Sequence, residues 1–158
     1  MDRAVHMLHG PAPLPGLADL PGLLARFAEA GPFRVQLDLD RALLPVVPSE
    51  VGTTVYRVVT EALTNVRRHA PAATTVRTTV RRAPGPAVAV SVVNDWPPGG
   101  GQPRSPRGWR SGGFGLAGLR ERVHVLGGTL TAGADPDGWR VAASWPIPDD
   151  TAAACHDG

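Results

Sequence analysis

Residues 51–70 read VGTTVYRVVTEALTNVRRHA. Within them Val55, Val58, Val59, Ala62, Leu63 and Val66 recur at the three- and four-residue spacing of one helix face, which predicts the longest helix of the chain. Ser49 stands where an N-cap is expected, and Pro71 ends the helix because proline has no N–H and clashes with the preceding turn. Glu61, Asn65 and His69 follow at four-residue intervals, so they share one edge beside the apolar stripe. A carboxylate and an amide carbonyl at the rim of a core are hard oxygen donors of the kind magnesium takes while it bridges to nucleotide phosphates. The same residues admit a plainer reading, in which Glu61 pairs with Arg57 or Arg68 and Asn65 is simply exposed.

On the N-terminal side, FRVQLDL (33–39) alternates apolar and polar as a strand with one buried face does. Before it, Asp19 can cap a short helix running to Glu29, with Leu20, Leu23, Leu24 and Phe27 at helical spacing and Gly31-Pro32 as the stop. On the C-terminal side, TTVRTTVRR (74–82) and AVAVSVVND (87–95) are strand-like and joined by Ala-Pro-Gly-Pro, a hairpin connection. Residues 97–113 hold too many prolines and glycines for a regular element, and a loop that long is usually functional or disordered. GFGLAGLRERVHVL (113–126) reads as a helix closed by Gly127-Gly128, and TLTAG and WRVAASW as two final strands. Five strands, with about three helices able to cover one face only, predict a two-layer α/β sandwich on a mixed sheet.

Composition narrows the chemistry. The 158 residues contain 16 basic side chains, every one of them arginine. The absence of lysine excludes the P-loop motif, the strand lysine of eukaryotic-type protein kinases and Schiff-base chemistry. A nucleotide held here needs another device for its phosphates. Gly112, Gly113, Gly115 and Gly118, with Phe114, Leu116 and Leu119 between them, surround the start of a helix. Backbone amides and the positive end of the helix dipole make an anion cradle there, although a flexible linker before a helix has the same composition. Val88, Val90, Val92 and Asn94 share one strand face by period two, so Asn94 emerges on the core side and Asp95 points away. A polar side chain at that edge can read the amine of a base; Asn-Asp before two prolines is also ordinary turn chemistry.

Cys155 is the single cysteine, which excludes an intrachain disulfide framework and a Cys-based zinc cage and predicts a reducing, cytoplasmic setting. No apolar run approaches the roughly 20 residues of a membrane span, and the N-terminus lacks the pattern of a signal peptide. The arginines are scattered and aromatic residues few, so neither nucleic acid nor membrane is expected as a partner.

In order and spacing the three motifs resemble those of one family. VYRVVTEALTNVRRHA is similar to the asparagine box, VVNDWPPGGG to the first glycine box, and GGFGLAGLRERVHVLGGTLTAG to the second glycine box of the ATP-binding domain of sensor histidine kinases, in the GHKL superfamily. EALTNVRRHA and GLAGLRERVHVLGGTL look most like the NarL/DesK-type branch, and the resemblance covers residues 13 to 148. It implies the Bergerat fold, ATP with Mg2+ in a cleft between helices and sheet, and transfer of the terminal phosphoryl to a histidine. It also implies Asn65 as magnesium ligand, Glu61 as the acidic residue that polarises the attacking histidine or a metal-bound water, and His69 near the phosphates. Gly113, Phe114, Gly115, Leu116 and Gly118 fall in the phosphate-binding box, and residues 97–112 in the mobile ATP lid.

Asn94 stands where the family has its adenine-reading Asp, and Trp96 where it has a glycine; a one-residue bulge would instead bring Asp95 to the adenine. The dimerisation helices with their phosphoacceptor histidine are expected to be missing, since Pro11 and Pro13 beside His6 and His9 forbid a long helix. The expected organisation is an irregular lead-in (1–22), the ATPase domain (23–148) and a flexible tail (149–158), with a phosphoacceptor domain supplied in trans and a response regulator beyond it. Two other activities stay open: a degenerate, non-catalytic nucleotide-binding module, and a serine kinase resembling anti-sigma factors.

Overall fold

The computed structural model describes residues 13–70, 72–95, 114–136 and 138–148. In β3 (Ala87–Asp95) every second residue is buried, from Val88 to Asn94, as expected of a strand with one face on a core. It is the middle strand of a five-stranded sheet that also contains β1 (Arg34–Leu39), β2 (Thr75–Ala83), β4 (Thr129–Asp135) and β5 (Gly138–Pro146). The spatial order is β1-β2-β3-β5-β4. Only β1 and β2 are parallel, so the sheet is mixed, and their connection must cross over the sheet.

That crossover is α2 (Ser49–His69). Its Val55, Val58, Val59, Ala62 and Val66 are buried in one core with Val76, Val80, Val90, Val141 and Trp145 of the sheet. α1 (Leu20–Glu29) and α3 (Phe114–Val125) complete the helical layer. On the other side the sheet presents Arg77, Thr79, Arg81, Ser91 and Arg140, tied by Arg81–Asp38, Arg77–Gln36 and Thr79–Ser91 contacts. The two-layer mixed-sheet architecture expected from periodicity is therefore the one observed.

Local details differ from the expectation. Ser49 is not the cap of α2 but its first helical residue. Pro48 takes the cap position with extended backbone, and its carbonyl accepts the first helical bond from the Gly52 N–H at 2.9 Å. Asp19 does precede α1, but its carboxylate turns back to accept from the Gly16 N–H at 2.8 Å across a single 3-10 turn, Leu17–Asp19. Leu17 and Leu20 are buried in the common core, so a boundary drawn after residue 22 falls inside α1. α3 closes as its glycines require: Gly127 has φ +83, and the Gly128 N–H returns to the Val123 carbonyl at 2.9 Å.

Candidate functional site

α2 places its polar residues differently although they share an edge. Asn65 is 1% exposed, which rules out the reading of a simply exposed side chain. Both of its amide atoms, Oδ1 and Nδ2, are buried without a hydrogen-bond partner among the described residues. Leaving such a group unmet costs roughly 1–3 kcal/mol, which a fold tolerates where a ligand completes the site. Glu61, one turn earlier, is half-buried and lines a groove of about 550 Å³ with Tyr56, Arg57, Gly118, Leu119 and Arg122. Among the described residues no ion pair joins Glu61 to Arg57 or Arg68. His69 is half-buried at the last position of α2, one turn beyond Asn65.

The chain leaves α2 at His69 and enters β2 at Thr75, where Val76 lies opposite Asn94. The end of β3 is thus at the same end of the molecule as Asn65 and His69. Asn94 is 1% exposed on the helix side of the sheet, and its Nδ2 donates to the Asp95 carbonyl at 3.2 Å. The pairing runs without interruption from Ala87 to Asn94 against β2 and from Ala87 to Asp95 against β5, so no bulge exchanges the two side chains.

Asp95 consequently lies on the opposite, solvent-facing side of the sheet, away from Asn94 and α2. Its carboxylate accepts from the Thr74 N–H at 2.8 Å, the Thr75 N–H at 3.0 Å and the Thr74 hydroxyl. Partial burial pushes its pKa up, but the hydrogen bonds from Thr74 and Thr75 outweigh it and hold the carboxyl below its ordinary value.

α3 begins at Phe114, with Leu116 buried and Gly118 exposed on the Glu61 groove. Gly112, Gly113, Trp96 and the lid assigned to residues 97–112 lie outside the described residues, as do His6, His9, Cys155 and the tail from 149. Periodicity did not single out Trp139. It sits directly across from Asn94 on β5 and is 8% exposed. Beside it, a Cβ on Gly138 would lie 1.7 Å from the Asn94 carbonyl oxygen, so only glycine lets β5 pair here with the end of β3. The sequence signal for both was the Gly-Trp pair that closes the Asp-Pro-Asp turn.

Among the described residues there is no cluster of three or more His, Cys, Asp and Glu side chains able to hold a metal. A cation at Asn65 would therefore take most of its ligands from water and phosphate, as magnesium does. Among the same residues, no helix is long and apolar enough to cross a membrane.

Comparison with known proteins agrees with this arrangement. The chain is 33% identical over 144 residues to the sensor histidine kinase YxjM of Bacillus subtilis, a match covering 90% of this chain and 33% of that protein. It thus spans about a third of the relative's length. In fold it is similar to the histidine kinase domain of the blue-light activated histidine kinase of Erythrobacter litoralis, with a TM-score of 0.62, 22% identity and coverage of 90% of this chain and 68% of that one. A second structure of that kinase matches with a TM-score of 0.59 at 23% identity, over 85% of this chain and 46% of the other. The model of the histidine kinase-, DNA gyrase B-, and HSP90-like ATPases matches residues 50–149, from the start of α2 past the end of β5. With Asn65 buried on α2, Asn94 buried on the helix side of β3, and most of its length matched, the chain belongs to the histidine kinase-, DNA gyrase B-, and HSP90-like ATPase family.

Proposed function

We propose that the chain is the catalytic domain of a two-component sensor histidine kinase of the NarL/DesK type, binding Mg-ATP and passing its terminal phosphoryl to a histidine from another chain or domain. The observation that carries this reading is Asn65: a fully buried amide with both polar atoms unmet among the described residues, one helical turn from a carboxylate that opens on a groove. The Asn65 Oδ1 suits a magnesium ion, and that ion, when bound, neutralises charge on the phosphates.

The protein's own groups do the rest by positioning. Asn94 meets the base, and amides at the N-terminal end of α3 take phosphate oxygens, where the helix dipole favours an anion. Glu61 orients the incoming imidazole from the groove side, holding the acceptor nitrogen in line with the phosphorus as the bond to the leaving ADP breaks. The acceptor histidine arrives from a phosphoacceptor domain, and a response regulator follows it in the signalling chain.

Labelled ATP and magnesium, with and without a separately supplied NarL/DesK-type phosphoacceptor domain, test the proposal. Acid-labile label on that domain alone is expected, and absence of both nucleotide binding and transfer would sink it. A second reading, a nucleotide-binding module without transfer, is favoured by the neutral Asn94 at the base position. Binding without label on the acceptor would select it.

A further inference from the structure

We propose that Asp95, acting from the solvent face of the sheet, fixes the orientation of the Asn94 amide and so makes the cleft select a purine that carries an exocyclic amine. The inference rests on the nucleotide-binding reading above and adds the origin of base selectivity.

A carboxylate can only accept, so it discriminates an amine from a carbonyl by its nature. An amide can donate or accept, and a freely turning one serves either base equally. Selectivity at Asn94 must therefore come from orientation. The Asn94 Nδ2 donates to the Asp95 carbonyl at 3.2 Å, which leaves Oδ1 as the acceptor for a ligand. Turning the amide over would set Oδ1 against that carbonyl oxygen, two acceptors facing each other.

The lock holds only if the Asp95 backbone stays in place, and Asp95 is the last residue of β3, followed by the sequence Trp-Pro-Pro-Gly-Gly-Gly. Its carboxylate supplies the anchor. It takes the Thr74 N–H, the Thr74 hydroxyl and the Thr75 N–H, all charge-assisted bonds to the segment that opens β2. Thr75 leads directly into Val76, the cross-strand neighbour of Asn94. Opposite, Gly138 pairs with Asp95 and Trp139 with Asn94, so the amide is framed on both sides. Asp95 is thus a positioning residue: it touches no nucleotide and acts through the side chain before it.

The test measures, on the full chain with magnesium, the affinities of a non-hydrolysable ATP analogue and of its inosine counterpart, which presents a carbonyl where adenine has its amine. The unaltered protein is expected to prefer the adenine form on the order of tenfold, the scale of one uncharged hydrogen bond. Asp95→Ala is expected to bring the ratio toward one, mainly by improving relative binding of the inosine form, and Thr74→Val to move it part of the way. If Asp95→Ala fails to fold, Thr74→Val and Asp95→Asn supply the ratio. Equal weakening of both ligands with the ratio preserved would assign Asp95 a merely structural role and overturn the inference. Equal binding of both analogues by the unaltered chain would overturn it while leaving the nucleotide site standing; binding of neither would overturn both.

Discussion

Glu61 and Asn65 stand one turn apart on the same edge of α2, yet Asn65 is buried with its amide unmet among the described residues while Glu61 opens on a groove beside α3. Under the proposed function, Asn65 would serve the cation of the bound nucleotide and Glu61 the incoming acceptor.

Asn65 should trade stability for binding. Replacing a buried, unsatisfied amide by an apolar side chain of similar size removes a desolvation penalty, so Asn65→Leu is expected to stabilise the free protein by about 1 kcal/mol. The same variant should lose the rise in melting temperature that an ATP analogue with magnesium confers on the unaltered chain. Thermal denaturation with and without ligand checks both; a variant still stabilised by the ligand would remove Asn65 from the site.

Glu61→Gln should leave nucleotide affinity within about twofold, since the carboxylate lines the groove beside α3 and, in the proposed function, meets the acceptor rather than the nucleotide. Phosphoryl transfer to a supplied acceptor domain should fall on the order of 10²-fold or more, the usual scale for a positioned acid or base. Single-turnover transfer measured beside calorimetric binding separates the two.

The pH dependence of stability should carry a contribution from Asp95. Its carboxyl is held below the ordinary aspartate value of 3.8, so between the two values the unfolded chain binds the extra proton and stability rises with pH. The contribution is complete above 3.8 and is lost as pH falls through the folded value. Asp95→Asn is expected to flatten the acid limb of unfolding free energy against pH, measured by denaturant titration at several acidic pH values. An unchanged limb would contradict the hydrogen-bonded clamp to Thr74 and Thr75.

Gly138→Ala should be among the most disruptive single-methyl substitutions in the chain. The added Cβ would lie 1.7 Å from the Asn94 carbonyl oxygen, which neither paired strand can yield without breaking the ladder. A loss on the order of 3 kcal/mol, at the upper end for overpacking, is expected in chemical denaturation. By contrast Gly118→Ala, which meets nothing within 4 Å, should be nearly neutral for folding.

Much of this molecule was legible in linear order. The apolar spacing from Val55 to Val66 and the alternation from Val88 to Asn94 specify helix and strand locally, because burial of one face needs only the period of the backbone. The same alternation placed Asn94 inward and Asp95 outward. The cap of α2 falls one residue earlier than Ser49, at Pro48, whereas Asp19 holds the cap position of α1 but uses its carboxylate on the Gly16 N–H of the preceding 3-10 turn.

What periodicity could not supply were facts that depend on a second element. Whether a bulge would swap Asn94 and Asp95 was settled by register, held by Thr74 and Thr75 on one side and by Gly138 on the other, residues 20 to 44 positions away in the chain. The placement of Trp139 beside Asn94, and the burial of Asn65 rather than a surface pairing of its neighbour Glu61, likewise came from the packing of α2 and β5 against β3. Local pattern encodes which way a side chain points along its own strand or helix; only the docking of two elements decides what it meets there.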